Sequence, residues 1–142
     1  MNAAEEIALF DVSIIKPEEI AQNWLEVVPM LDRVNTDGYY NMKDIYDRLL
    51  DGRQTLITIR QDGELVACST ITIMNYPQKR TLAGVLLAGE RMGEWSEVFI
   101  EHLRMMARHI DAEEIEFGGR KGFEKALNGS AKVSSVRYII EV

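Results

Sequence analysis

The sequence predicts a single α/β domain, α+β in its layout, built on a mixed sheet. Three observations predict it. The hydrophobic period is helical before Gly52, strand-like after it, and helical again after Gly93. An Asp-Gly pair, Asp62-Gly63, joins two of the strand-like runs as a hairpin. No repeat, low-complexity tract or Pro/Gly/Ser-rich linker divides the 142 residues, so residues 1–142 read as one domain.

Leu9 to Ile15 alternates loosely as a first strand. Lys16-Pro17-Glu18-Glu19 starts a helix, with proline in the first turn and acids at the positive end of the helix dipole. Ile20, Trp24, Val27 and Leu31 carry that helix to Asp32, with Pro29 expected to bend or shorten it. Asn35 to Gly38 is a loop, and Asn41 caps a second helix whose apolar face is Met42, Ile45, Tyr46 and Leu49. Gly52 ends it.

Gln54 to Arg60 is a strand, the Asp-Gly turn follows, and Glu64 to Met74 returns as a central strand that is apolar on both faces. A turn at Asn75 to Arg80 leads to a third strand of the same kind, Thr81 to Ala88. After the break at Gly89 to Gly93, the positions Trp95, Phe99, Leu103, Met106 and Ile110 mark the clearest amphipathic helix. Glu114 to Phe117 is a short strand, Gly118 to Gly122 a loop, and Phe123 to Leu127 a short helix. Val136, Tyr138, Ile140 and Val142 alternate as a final strand, giving the order β-α-α-β-β-β-α-β-α-β.

The composition narrows the functional classes. Cys68 is the one cysteine, which excludes an intramolecular disulfide and a cysteine-based metal site. His102 and His109 are seven apart on one helix, without the four-residue spacing of a helical metal pair, so no metal is expected. A formal charge of -7 argues against nonspecific binding to nucleic acid or to an anionic membrane. The N-terminal residues lack a basic-then-apolar leader and no run approaches the ~18 apolar residues of a membrane helix, so a reducing cytoplasm, or a particle assembled there, is expected. No Gly-x-Ser-x-Gly elbow and no nucleotide-binding glycine motif occurs.

Two consecutive helices before a three-strand meander, with a further helix after it, resemble the GNAT superfamily of acyl-coenzyme A dependent N-acyltransferases. The likeness spans Leu9 to Val142. The chain is also similar to small GNAT-like proteins of tailed bacteriophages in Tyr40-Asn41-Met42-Lys43-Asp44-Ile45-Tyr46-Asp47-Arg48-Leu49 and in Gly119-Arg120-Lys121-Gly122-Phe123-Glu124.

The resemblance implies an acyl-CoA, such as acetyl-CoA, lying along a splayed strand at Val85, Leu86 and Leu87. Its pyrophosphate would meet the turn Gly89, Arg91, Met92 and Gly93. The family pattern there is Arg or Gln, two residues, Gly, one residue, then Gly or Ala. This sequence departs from it: Gly89 and Gly93 are four apart, and Glu90 and Glu94 set two carboxylates in the turn, where each is expected to repel a pyrophosphate and Arg91 is expected to offset one of them. The family's proton chemistry implies a carboxylate base, for which Glu90 and Glu116 are candidates, and a tyrosine acid near the fourth helix. That helix offers Phe123, so Tyr138 of the last strand is the candidate acid, with a packed aromatic as its alternative role.

Two functions follow. One is an N-acyltransferase acting on an amine through a coenzyme A thioester. The other is a catalytically inactive module of the same fold, binding a protein partner or a second copy, for example in a phage virion.

Overall fold

The computed structural model describes residues 9–118 and 131–142. Its central feature is a five-stranded sheet in the order β1-β2-β3-β4-β5, formed by Asp11–Ile15, Thr55–Gln61, Glu64–Asn75, Arg80–Gly89 and Glu114–Phe117. The first four strands pair antiparallel, whereas β4 and β5 run parallel. The mixed sheet follows from connection length. The Asp62-Gly63 turn, with φ of 51° and 81°, returns the chain at once, while β4 reaches β5 only through a helix.

Among the described residues, three helices cover the sheet. A 3-10 turn, Pro17–Glu19, runs into α1, Ile20–Val34, and α2 spans Met42–Leu50. Helix α3, Met92–His109, crosses the other face. Pro29 does not end α1. The carbonyl one turn back, which its missing N–H leaves unpaired, belongs to Leu25, and that residue is 88% exposed. The start of α2 is fully capped: the Asn41 side chain accepts from the Asp44 backbone N–H, and the Asp44 carboxylate accepts from the Asn41 N–H.

The core therefore has two layers. Ile57, Ile59, Ala67, Ile71 and Leu82 pack under Trp95, Phe99 and Leu103 of α3. On the opposite face, Leu56 and Cys68 meet Ile20, Val27 and Leu31 of α1 and Ile45 and Leu49 of α2. This alternation along β2 and β3 gives two runs buried on both sides, as their apolar sequence requires.

The fold class holds, and the predicted order holds through β5. The final strand is corrected. Residues 131–142 form no regular secondary structure, and Val136, Tyr138, Ile140 and Val142 are all more than 60% exposed. An alternating segment becomes a strand only beside a partner edge, and among the described residues none pairs with it. The predicted helix Phe123 to Leu127 lies outside the described residues, as does Gly119-Arg120-Lys121-Gly122-Phe123-Glu124.

Candidate active site

The site is built from a mismatch in strand length. β4 pairs with β5 only from Thr81↔Glu114 to Gly84↔Phe117. β5 then stops, while β4 runs on to Gly89. Among the described residues, no strand pairs with residues 85–89 on that side, so the backbone groups aimed there lack a ladder partner.

A β-bulge sits where the strands part. Thr70 faces Leu86 and Ile71 faces Gly84, which leaves Val85 as the extra residue. A bulge bends its strand and re-aims the next side chains. The Ser69 hydroxyl pins this one by donating to the Leu86 carbonyl at 2.7 Å. Phe117 closes the other side of the junction, its ring lying where a Cβ on Gly84 would fall. Val85, Leu86 and Leu87 remain half-buried, lining the open end of the gap.

The turn after β4 is held from inside. Gly89 has φ of 150°, and Trp95, fully buried, donates its indole N–H to the Glu90 carbonyl at 2.6 Å. Arg91 enters α3 in the left-handed conformation, φ 58°, and no side chain caps the helix. The Glu90 N–H donates to Val66 and the Glu94 N–H to Arg91. The N–H groups of Met92 and Gly93, in the first turn of α3, have no intrahelical acceptor. In the next turn, the Ser96 hydroxyl is buried with no partner among the described residues.

The two glutamates do not stand alone. Glu90 faces Arg33 of α1 at 4.0 Å, and Glu94 faces Arg91 at 3.5 Å. The Arg91 guanidinium also donates to the Gln61 side chain at 3.3 Å. Four charges thus sum to zero around the turn, and the repulsion expected from the sequence is balanced. Exposed pairs of this kind are worth at most about 1 kcal/mol. The turn thus offers a phosphate-bearing group N–H donors at a helix start, and two arginines pair with its glutamates.

Glu116 lies at the closed end of the gap, opposite Ala83. Its carboxylate accepts from the Tyr76 hydroxyl at 2.9 and 3.2 Å and from the Thr81 hydroxyl at 3.0 Å. These bonds draw it toward the start of β4. Tyr76 is held above the usual phenol range, first by its hydrogen bond to Glu116. Sequence reasoning missed Tyr76 because it sits in the β3–β4 turn, 40 residues from the carboxylate it serves.

The three candidate catalytic residues are not brought together. Glu90 stands at the open end of β4 and Glu116 at the closed end, and Tyr138 is 85% exposed in the C-terminal segment. Among the described residues no hydrogen bond links Tyr138 to either glutamate. The neighbouring Arg137 guanidinium stacks 4.6 Å above the Tyr39 ring, in the α1–α2 connection.

Burial pushes the Cys68 thiol up to about 12, which removes it as a nucleophile. Cys68 is therefore expected to resist a disulfide reagent in the native protein and to react at once in denaturant, as a thiol-release assay would record. A cleft of about 580 Å³ opens at the other end of the sheet, between Ile14, Ile71, Ile73, Met106 and Ile110, but its charged lining is arginine, with no base. Among the described residues, no group of His, Cys, Asp and Glu could hold a metal ion and no helix is long and apolar enough to cross a membrane.

The same fold recurs in solved structures. A ribosomal-protein-alanine N-acetyltransferase from Brucella melitensis biovar Abortus 2308 matches with a TM-score of 0.69 at 15% identity, covering 94% of this chain and 99% of that one. The fold is that of the GNAT acetyltransferases. An aminoglycoside acetyltransferase from an uncultured soil metagenomic sample, in complex with sisomicin, matches with a TM-score of 0.70 at 10% identity, covering 95% and 97%. A predicted acetyltransferase from Clostridium acetobutylicum, solved with acetyl-CoA, matches with a TM-score of 0.67 at 8% identity, covering 94% and 96%. No family model and no curated protein matches the sequence.

Proposed function

We propose that the chain is a GNAT-type N-acyltransferase that takes an acyl-coenzyme A, such as acetyl-CoA, and acylates an amine. The observation that carries this reading is β4 running past the end of β5 into a turn and an uncapped helix start. When bound, the thioester supplies an activated acyl group. The backbone of Val85, Leu86 and Leu87 holds the pantetheine arm as a strand partner would, and the bulge at Val85 fixes where that arm ends. Gly89, Arg91, Met92 and Gly93 meet the phosphates.

Glu116, one residue before the end of β5, offers a carboxylate that Tyr76 and Thr81 hold toward the start of β4. An ionised carboxylate has about four lone-pair sites, so it retains room for the proton of an acceptor ammonium. No activated nucleophile is needed for direct attack by an amine, and the buried Cys68 supplies none.

A rise in melting temperature with millimolar acetyl-CoA, together with acetyl transfer to a panel of polyamines, aminoglycosides and N-terminal peptides, is the expected result. Absence of both would sink the reading.

A second reading keeps the scaffold and drops the chemistry: a binding module, in a phage particle for example. It draws on the exposed apolar side chains of residues 133–142 and on the hydroxyls that already engage Glu116. Copurification with a stoichiometric partner, without acyl transfer, would favour it.

A further inference from the structure

The departure of the turn from the family pattern raises a question that the three-dimensional arrangement answers. The pattern calls for Arg or Gln at the start of the turn, and this chain places Glu90 and Glu94 around it. A cation nevertheless reaches the same place from another element. Arg33, in the last turn of α1, extends to within 4.0 Å of the Glu90 carboxylate, and its positive charge also acts on the thiol of Cys68, the residue paired with Ala88. Arg91 approaches from the turn itself and is held by Glu94 and Gln61.

We propose that Arg33, together with Arg91, is a phosphate-binding residue of the cofactor site, and that Glu90 and Glu94 occupy the two guanidinium groups until phosphates displace them. This rests on the acyl-coenzyme A reading above.

Three physical points support it. Arginine binds phosphate as readily as carboxylate, through the same planar fork of donors, so exchanging one for the other keeps the hydrogen bonding. The side chains of Arg33 and Glu90 are 62% and 78% exposed, so neither is locked by packing and the exchange needs no backbone movement. Finally, one arginine belongs to the last turn of α1 and the other opens α3, so two elements far apart in sequence each bring a cation to a glutamate of this turn. The glutamates then act as built-in competitors that lower affinity for the cofactor.

The test is calorimetric titration of the full chain with coenzyme A, and in parallel with pantetheine, which lacks the phosphates. Arg33→Ala is expected to weaken coenzyme A binding about tenfold, the loss of one charge-assisted contact, and to leave pantetheine unchanged. Glu90→Gln and Glu94→Gln are expected to tighten coenzyme A binding several-fold, and Arg53→Ala, a cation held by Asp51 next to α2, to change nothing. Equal affinity of Arg33→Ala and the parent chain for coenzyme A would overturn the proposal, as would an equal loss on pantetheine. Binding by Glu90→Gln where the parent chain binds too weakly to measure would uphold it. If neither the parent chain nor either Glu→Gln variant binds coenzyme A, the acyl-coenzyme A reading itself fails, and the proposal with it.

Discussion

Replacing Trp95 by alanine is expected to cost about 3–5 kcal/mol of folding stability, the usual range for truncating a fully buried large aromatic. Two terms combine. The side chain is fully buried between the sheet and α3, in edge contact with Phe99 at 5.9 Å between ring centroids. Its indole N–H also ties down the Glu90 carbonyl. Trp95→Phe separates them, keeping most of the packing and losing only the hydrogen bond, for a cost of about 1–3 kcal/mol. Urea denaturation of both variants measures the split. If Trp95→Phe costs as much as Trp95→Ala, the hydrogen bond dominates and the turn is the weak point of the fold.

The second large effect belongs to Gly89. A methyl group there would lie 2.5 Å from the Ala67 Cβ and 2.7 Å from both the Ala67 Cα and the Val66 carbonyl oxygen, at a backbone φ of 150°. Neither obstacle can swing aside, because one is β3 backbone and the other a buried alanine. Gly89→Ala is therefore expected to cost roughly 2–4 kcal/mol, combining backbone strain with overpacking. Gly93 is the internal control: a Cβ there meets nothing within 4 Å. In a helical position Gly93→Ala should be neutral or stabilising by up to about 1 kcal/mol. A thermal melt showing equal losses at both glycines would mean that the turn is not held against β3 as described.

Much of this architecture was legible in the sequence because its causes are local. Asn41 spells a helix cap, and Asp62-Gly63 spells a tight hairpin; both formed. The spacing of Trp95, Phe99 and Leu103 marked the buried face of α3, although the helix begins at Met92, two residues before Glu94. The site was legible only where it is made of contiguous backbone, at residues 85–93. Its side-chain partnerships join residues far apart in the chain: Tyr76 with Glu116, Arg33 with Glu90. Neither pair has a periodicity or motif that could announce it. The C-terminal alternation misled for a related reason, since the pattern of Val136, Tyr138 and Ile140 reports a capacity to pair and not the presence of a partner.

The glutamates of the turn show the same limit from the other side. Read along the chain, Glu90 and Glu94 are two charges opposed to a pyrophosphate. Read in space, each has an arginine beside it, one from its own turn and one from α1. The offset by Arg91 was legible along the chain, and the one by Arg33 was not.

We propose that the edge of β4 beyond β5 receives an acyl-coenzyme A. Backbone amide shifts recorded by NMR during a coenzyme A titration test it most directly. The largest changes are expected on Val85, Leu86 and Leu87 and on Met92 and Gly93, with little change in β1 or at the start of β2. Saturable shifts confined to any other surface, or no shifts at millimolar ligand, would contradict it.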